Sequence, residues 1–512
     1  MELTKNKFDC DFLILGSGVS GMTMALLLAA AGRSVTVLEK SASIGGCMQR
    51  FTRKGIPFDT GFHFTGGFNR GFPEMLAVLG LQGDIREEEF RTNIFLSDRL
   101  KKVSLPTTGA EDVCDHICSL YQKETDAIRK YFAVERQIFD NTPIFRLREK
   151  NLLESFYLMD EDFITLDDFF NRENVSQELR SVLGGVAMCH GTPPCEVSLT
   201  THCRISFGLT DHISRIHGGG ASLVSGFQRE AGRLGVNVKT GVSIAECIDA
   251  VDRVCNRVRL TDGSEISFGS CIMSIHPREI LKILPVSMVS SHFRSRIKSF
   301  EESCGFFSLY AEIAPGLPDL RQELTSWLSV CDLNKILKPG NCGESGMGIV
   351  LARETAGDGR PCQTITAFES VFPDETARWD DTLTNRRGKE YVEYKEQRLQ
   401  AMMMKVIQAY PELRGRLRVL ESSSMLTYRD YLSTPGSGYG IRQKIGQHNL
   451  FGRLPVKNFY AVGQNAILPG MLGAMVSSFV IFRRLIGETS YWQLLEERLG
   501  KSQGEAKSSR TG

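Results

Sequence analysis

Apolar positions along this chain fall into short unbroken runs separated by longer helical stripes. Residues 12–15 (Phe-Leu-Ile-Leu) lie between Asp11 and Gly16, the pattern of a parallel strand buried on both faces. The apolar stretch 22–31 reads as a helix closed by Gly32, and residues 34–38 form a second strand ending on Glu39. Strand and helix alternate again far downstream. A helix over 221–234 precedes a strand within 236–244, and a strand over 458–463 precedes a helix opening at Pro469-Gly470. Between them, 388–410 has helical periodicity with a polar face, and 364–368 alternates like a strand. Strand–helix–strand units predict an α/β architecture.

The first turn carries Gly16-Ser17-Gly18-Val19-Ser20-Gly21. Gly16 permits the tight turn, Gly18 lets backbone approach a pyrophosphate, and Gly21 allows helix to pack closely on strand. The helix start offers free N–H groups to phosphates. Glu39, 18 residues past Gly21, is placed to accept hydrogen bonds from ribose hydroxyls and to repel a 2′-phosphate. Strand, glycines, helix, strand and acid together predict a dinucleotide site.

Composition narrows the field. Lys plus Arg number 61 and Asp plus Glu 60, a balance that argues against non-specific nucleic-acid binding. The 14 cysteines contain no C-x-x-C pair, so scattered residues such as Cys10 and Cys271 read as buried thiols, and no metal site is expected. Neither 22–31 nor 471–486, which contains Arg483 and Arg484, suits a membrane span. No signal peptide is expected, the location is read as cytoplasmic, and the polar tail 497–512 is expected to be unstructured.

Beyond Glu39 the chain reads Lys40-Ser41-Ala42-Ser43-Ile44-Gly45-Gly46-Cys47-Met48, then Phe58-Asp59-Thr60-Gly61-Phe62-His63. This second diglycine, followed by D-x-G-x-H, resembles the extension in the FAD-containing amine oxidase and phytoene desaturase superfamily. Gly218-Gly219-Gly220 follows His217 rather than a clear strand, and reads as a bend before a helix. With the segment containing Val242, it resembles the family element whose valine contacts adenine. Gly463-Gln464-Asn465 and the helix start containing Met471 and Leu472 resemble the segment lying along ribityl chain and flavin ring. Many members carry an acid after that first glycine; this chain has Gln464-Asn465.

His190-Gly191-Thr192-Pro193-Pro194, the stretch 58–67, Thr427-Tyr428-Arg429-Asp430-Tyr431 and Pro435-Gly436-Ser437-Gly438-Tyr439-Gly440 resemble the phytoene desaturase-related group. Within it they are most similar to carotenoid isomerases and all-trans-retinol saturase-like proteins. The resemblance covers about residues 8–490.

It implies a Rossmann-type, GR2-like FAD-binding domain with an inserted α+β substrate domain. The former would be assembled from 1–70, 215–285 and 455–490, the latter from 71–214 and 286–454. It also implies FAD as cofactor and oxidoreduction or isomerisation of C–C or C=C bonds in a hydrophobic polyene, with an electron donor or acceptor the sequence does not name. The cofactor positions would be Gly16, Ser17, Gly18, Val19, Ser20, Gly21, Glu39, Lys40, Gly45, Gly46, Cys47, Met48, Val242, Gly463, Gln464, Asn465, Met471 and Leu472.

His63 is the first polar candidate, on the strand after the diglycine loop, to donate a proton or orient the flavin. Tyr439 follows, on a turn expected to face the active site. Arg442 is a candidate to neutralise a carboxylate or phosphate on a substrate. His190 and His202 are weaker. A lipophilic substrate implies peripheral membrane contact, with 294–298 as one basic candidate patch. Two rival readings stay open: an amine oxidase-like flavoenzyme, and a non-catalytic FAD-containing lipid-binding protein.

Overall fold

The computed structural model describes residues 8–150, 159–316, 320–340, 343–432, 435–447 and 449–500. Strand β1 (Cys10–Leu15), helix α1 (Val19–Ala30) and strand β2 (Val35–Glu39) open the chain. α1 begins three residues earlier than its apolar run suggests, because Gly21 is already helical. A side chain there would strike the Gly16 carbonyl, so only glycine lets the helix start this close to the strand. α1 is buried along most of its length, with Met22, Met24, Leu26, Leu27 and Leu28 almost fully enclosed, as a helix apolar on every side must be.

β1 pairs in parallel with β2 on one side and with Glu265–Met273 on the other; β2 pairs with Asn237–Thr240. The strand Glu265–Met273 has two partners along one edge. Its first half pairs with Arg257–Leu260 in an antiparallel hairpin, and its last three residues pair in parallel with Phe459–Ala461. One seven-stranded sheet therefore draws strands from the beginning, middle and end of the sequence.

The helix Gly470–Ile486 packs beside α1, with Ser478 Oγ donating to the Ser20 carbonyl at 2.9 Å. Its apolar character comes from burial against the sheet layer. Among the described residues no helix is long and apolar enough to cross a membrane. Its Arg483 is buried and donates to the carbonyls of Glu149 and Lys150.

A second seven-stranded sheet runs, in spatial order, Leu417–Ser423, Gly305–Ile313, Pro361–Val371, Gly346–Thr355, Glu323–Leu328, Arg91–Leu96 and Lys101–Leu105. Gly305–Ile313 is buried on both faces. Phe307, Leu309 and Ala311 pack under the helix Lys389–Ala409, while Phe306 and Tyr310 point to the opposite face, as the two-residue period of a strand requires. The helices Thr125–Asp140 and Leu199–Asp211 form a separate apolar layer beside the last two strands, Arg91–Leu96 and Lys101–Leu105.

Three local readings differ from the fold. The strand expected to carry His63 ends at Asp59, and a bend at 60–61 leads into irregular chain at 62–63, because Thr60 turns to bond the Gln49 carbonyl through both N–H and Oγ1. A short strand, Ser214–Ile216, does precede the triple glycine, but it pairs with Glu87–Glu89 outside the nucleotide sheet. Gly218 and Gly219 then bend at φ 74° and 61° into the helix Gly220–Arg233. The helix Glu488–Leu499 extends three residues into the expected tail, and 501–512 lie outside the described residues.

Candidate functional site

A single cavity of about 1510 Å³ runs between the two sheets. Ordinary small-molecule sites measure roughly 300–1,000 Å³, so this one has room for a dinucleotide and a second ligand. At one end its wall contains Gly16, Gly18, Val19, Ser20, Glu39, Lys40, Gly46, Cys47 and Met48, and Gly463, Gln464, Asn465, Met471 and Leu472 join them from the end of the sequence.

Two helix N-termini face this space without side-chain caps: α1, entered through Gly18, and Gly470–Ile486, entered through Pro469. The helices starting after Thr165, Ser176, Ser198 and Ser290 are all capped by those side chains. Uncapped N–H groups at a cavity wall suit anionic oxygens. Nothing lies within 4 Å of where a Gly18 Cβ would sit, which leaves an open backbone cradle.

Glu39 accepts from Ser17 N–H at 2.9 Å, Ser17 Oγ at 2.6 Å and Ser41 N–H at 2.8 Å. A carboxylate has about four acceptor positions, so acceptor capacity remains for a ribose hydroxyl. These residues fit an adenine dinucleotide.

Ser17, Gly21, Gly45 and Val242 stand behind the wall rather than on it. Ser17 anchors Glu39. Gly45 takes φ 116° and bonds the Ser17 carbonyl, which locks the second glycine loop onto the first. Val242 is buried and its N–H bonds the Glu39 carbonyl, leaving Ser243 at the cavity. Asn465 Oδ1 accepts the Ile441 N–H at 2.8 Å, so that amide oxygen is committed to the fold and Gln464 is the freer of the two.

The other part of the cavity is aromatic, lined by His63, Phe306, Phe368, Tyr310, Tyr428 and Tyr439. His63 stacks on Phe368 with ring centroids 4.9 Å apart and planes 9° apart. Burial pulls its imidazole down to about 4, although the Asp59 carboxylate pulls the other way, so the ring is neutral at neutral pH. Tyr439 meets Phe306 edge-on at 5.7 Å, and burial raises its phenol well above the usual range.

Arg442 is not brought to the cavity. It is buried with its guanidinium 3.1 Å from Glu196 and 3.3 Å from Glu301, so its charge is already spent. His190 and His202 are also fully buried. They bond each other at 3.1 Å, and His202 reaches the Tyr131 hydroxyl at 3.0 Å.

Reading the sequence missed a buried group of four charges behind His63. Arg215 bridges Asp59 at 2.8 Å and Glu354 at 2.6 Å; Arg50 bridges the same two carboxylates at 2.9 and 2.6 Å. Arg215 also donates to the His63 carbonyl and Arg50 to that of Gly218. Asp59 sits against Gly219, where a side chain would strike it. The group ties the strand Gly346–Thr355 of the second sheet to the diglycine loop. Four residues spread over 305 positions leave no local signal; only Asp59 stood within a motif.

Fold and site together define an FAD-dependent oxidoreductase. Residues 14–79 match the model of the NAD(P)-binding Rossmann-like domain, which covers the N-terminal unit alone. Cyclohexylamine oxidase from Brevibacterium oxydans superposes with a TM-score of 0.59 over 96% of this chain and 99% of its own, at 16% identity, a likeness of fold. In sequence the chain is similar to retinol reductase and carotenoid-modifying proteins. It is 22% identical to an all-trans-retinol 13,14-reductase of Danio rerio, over 92% of this chain and 85% of that protein. It is 27% identical to a chloroplastic prolycopene isomerase of Daucus carota, over 30% of this chain and 25% of that protein.

Proposed function

We propose that this protein uses FAD to desaturate, saturate or isomerise C–C or C=C bonds of a hydrophobic polyene. The observation that carries the reading is the continuity of the cavity: a nucleotide cradle at one end opens without a break into an aromatic chamber large enough for a second, apolar molecule. The names of the homologues, which concern retinol and prolycopene, support a polyene over an amine.

When bound, FAD supplies hydride transfer at carbon. The chain's own residues hold the reactants and exclude water. Glu39 and the two open helix termini hold the nucleotide, and the Phe306, Phe368 and Tyr439 rings clamp a flat conjugated chain. His63, neutral and stacked on Phe368, shapes this chamber as an uncharged ring.

The cavity opens to solvent beside Thr384, Asn385, Gly388 and Val392, where Leu383, Val392 and Tyr431 are exposed apolar side chains flanked by Arg386 and Lys389. This rim suits a membrane surface from which an apolar substrate enters. In the segment 294–298, by contrast, Arg294 and Arg296 donate to nearby carbonyls.

Expression in a carotenoid-producing host, with mass spectrometry of the lipid extract, tests the function. A changed polyene profile is expected, and hydrogen peroxide production on amines with an unchanged lipid profile would refute it. Anaerobic reduction of the holoprotein in turn by NADH, NADPH and dithionite identifies the electron partner. Sedimentation with anionic liposomes checks the rim, with Val392→Asp expected to reduce the bound fraction.

A further inference from the structure

The cavity wall carries a cation whose donors are largely unmet. Arg204, on the helix Leu199–Asp211, lines the cavity with Ile205 and Leu209 of the same helix. Its Nε donates to Thr142 Oγ1 at 3.0 Å, which places it beside the segment supplying Phe139 and Phe145 to the same wall. Its one carboxylate partner among the described residues, Asp162, stands 3.6 Å from Nη1, beyond hydrogen-bonding distance. A guanidinium has five N–H donors, and this side chain keeps 18% of its surface exposed at the cavity wall.

The other arginines of this wall differ. Arg50, Arg53, Arg70 and Arg387 each hold a carboxylate within hydrogen-bonding distance, on Glu354, Glu421, Asp211 and Asp430. Lys395 also lines the cavity and donates to the Ser422 carbonyl at 2.7 Å. Arg204 is thus the arginine with a planar donor fork left over, among phenylalanines that strengthen any charge-assisted bond it makes.

We propose that Arg204 anchors the terminal carboxylate of an elongated apolar ligand whose conjugated chain lies in the aromatic chamber. The proposal rests on the polyene reading and narrows it to ligands ending in an acid. Asp162 competes for the same cation: it balances the charge when the ligand is absent and yields to a better-placed carboxylate when it is present. Burial lowers the guanidinium's proton affinity, as expected for a cation short of partners.

The test is equilibrium binding of a C20 polyene carboxylic acid, its alcohol and a hydrocarbon polyene to the FAD-loaded full chain, followed through protein fluorescence. Arg204→Gln is expected to weaken the acid at least about tenfold while the hydrocarbon changes less than about twofold. Asp162→Asn is expected to tighten the acid, an effect opposite to that of a structural lesion. Arg204→Lys, which keeps charge without the fork, is expected to fall between wild type and Arg204→Gln. An unchanged acid affinity in Arg204→Gln, or equal losses for acid and hydrocarbon, overturns the proposal. Binding of the hydrocarbon but not the acid by wild type also overturns it while leaving the polyene reading intact. Binding of no polyene at all sinks both.

Discussion

At the scale of single residues, Glu39 has a double task. Its three hydrogen bonds hold Ser17 and Ser41 in place, and its remaining acceptor capacity faces the cavity. Glu39→Ala is therefore expected to weaken FAD binding by more than the loss of a ribose contact, on the order of 2–3 kcal/mol, read by flavin fluorescence titration. Glu39→Gln keeps the shape and should lose less.

His63 yields a different expectation. Held near 4 by burial, it does not change charge between pH 5.5 and 8. Its substitution by Asn should lower the rate of flavin reduction without moving the pH profile in that window. A profile inflecting near 6.5 in wild type and lost in His63→Asn would show that the ring is charged during turnover.

The elements divide by how local their determinants are. β1, α1, β2, the helix Lys389–Ala409 and the helix Gly470–Ile486 could be read from periodicity and glycines, because each signal lies within twenty or so consecutive residues. The glycine segments that meet at one cavity wall stood out for the same reason. The bend at 60–61 was not, since it depends on Thr60 meeting Gln49, nor was the short strand Ser214–Ile216, whose partner lies 125 residues earlier at Glu89. The setting of Arg442 was hidden on the same ground: its neutralising carboxylates, Glu196 and Glu301, are distant in sequence.

The four-charge group belongs to this scale, because it joins elements. Glu354→Gln leaves an excess buried positive charge between the sheets and is expected to destabilise the protein by about 3–5 kcal/mol in urea unfolding. Adding Arg50→Gln restores charge balance and should recover part of that loss, a non-additivity that a double-mutant cycle measures.

For the whole molecule, buried titratable groups set how stability varies with pH. Burial lowers His63 to about 4, His202 to about 3 and His190 well below the usual 6.5. As pH falls from about 6.5 towards 3, the unfolded chain takes up protons that the folded chain refuses, so stability falls. Glu135 opposes this. Burial raises it to about 7 from 4.5, so the folded state holds a proton the unfolded state has lost, and stability falls as pH rises from 4.5 through 7. Three histidines outweigh one glutamate, and unfolding by urea should be easier at pH 5 than at pH 7. Glu135→Gln, which removes the opposing term, should steepen that acid-side decline.

The strand Glu265–Met273 receives its last partner, Phe459–Ala461, nearly two hundred residues after it is made. On the ribosome, then, the nucleotide sheet stands with an open edge while the intervening residues are still being synthesised, and the second helix terminus of the cofactor cradle does not yet exist. Cofactor capture has to wait until the helix Gly470–Ile486 has been made. The cellular supply of FAD at that moment, rather than the speed of synthesis, should then govern how much of the nascent protein escapes aggregation.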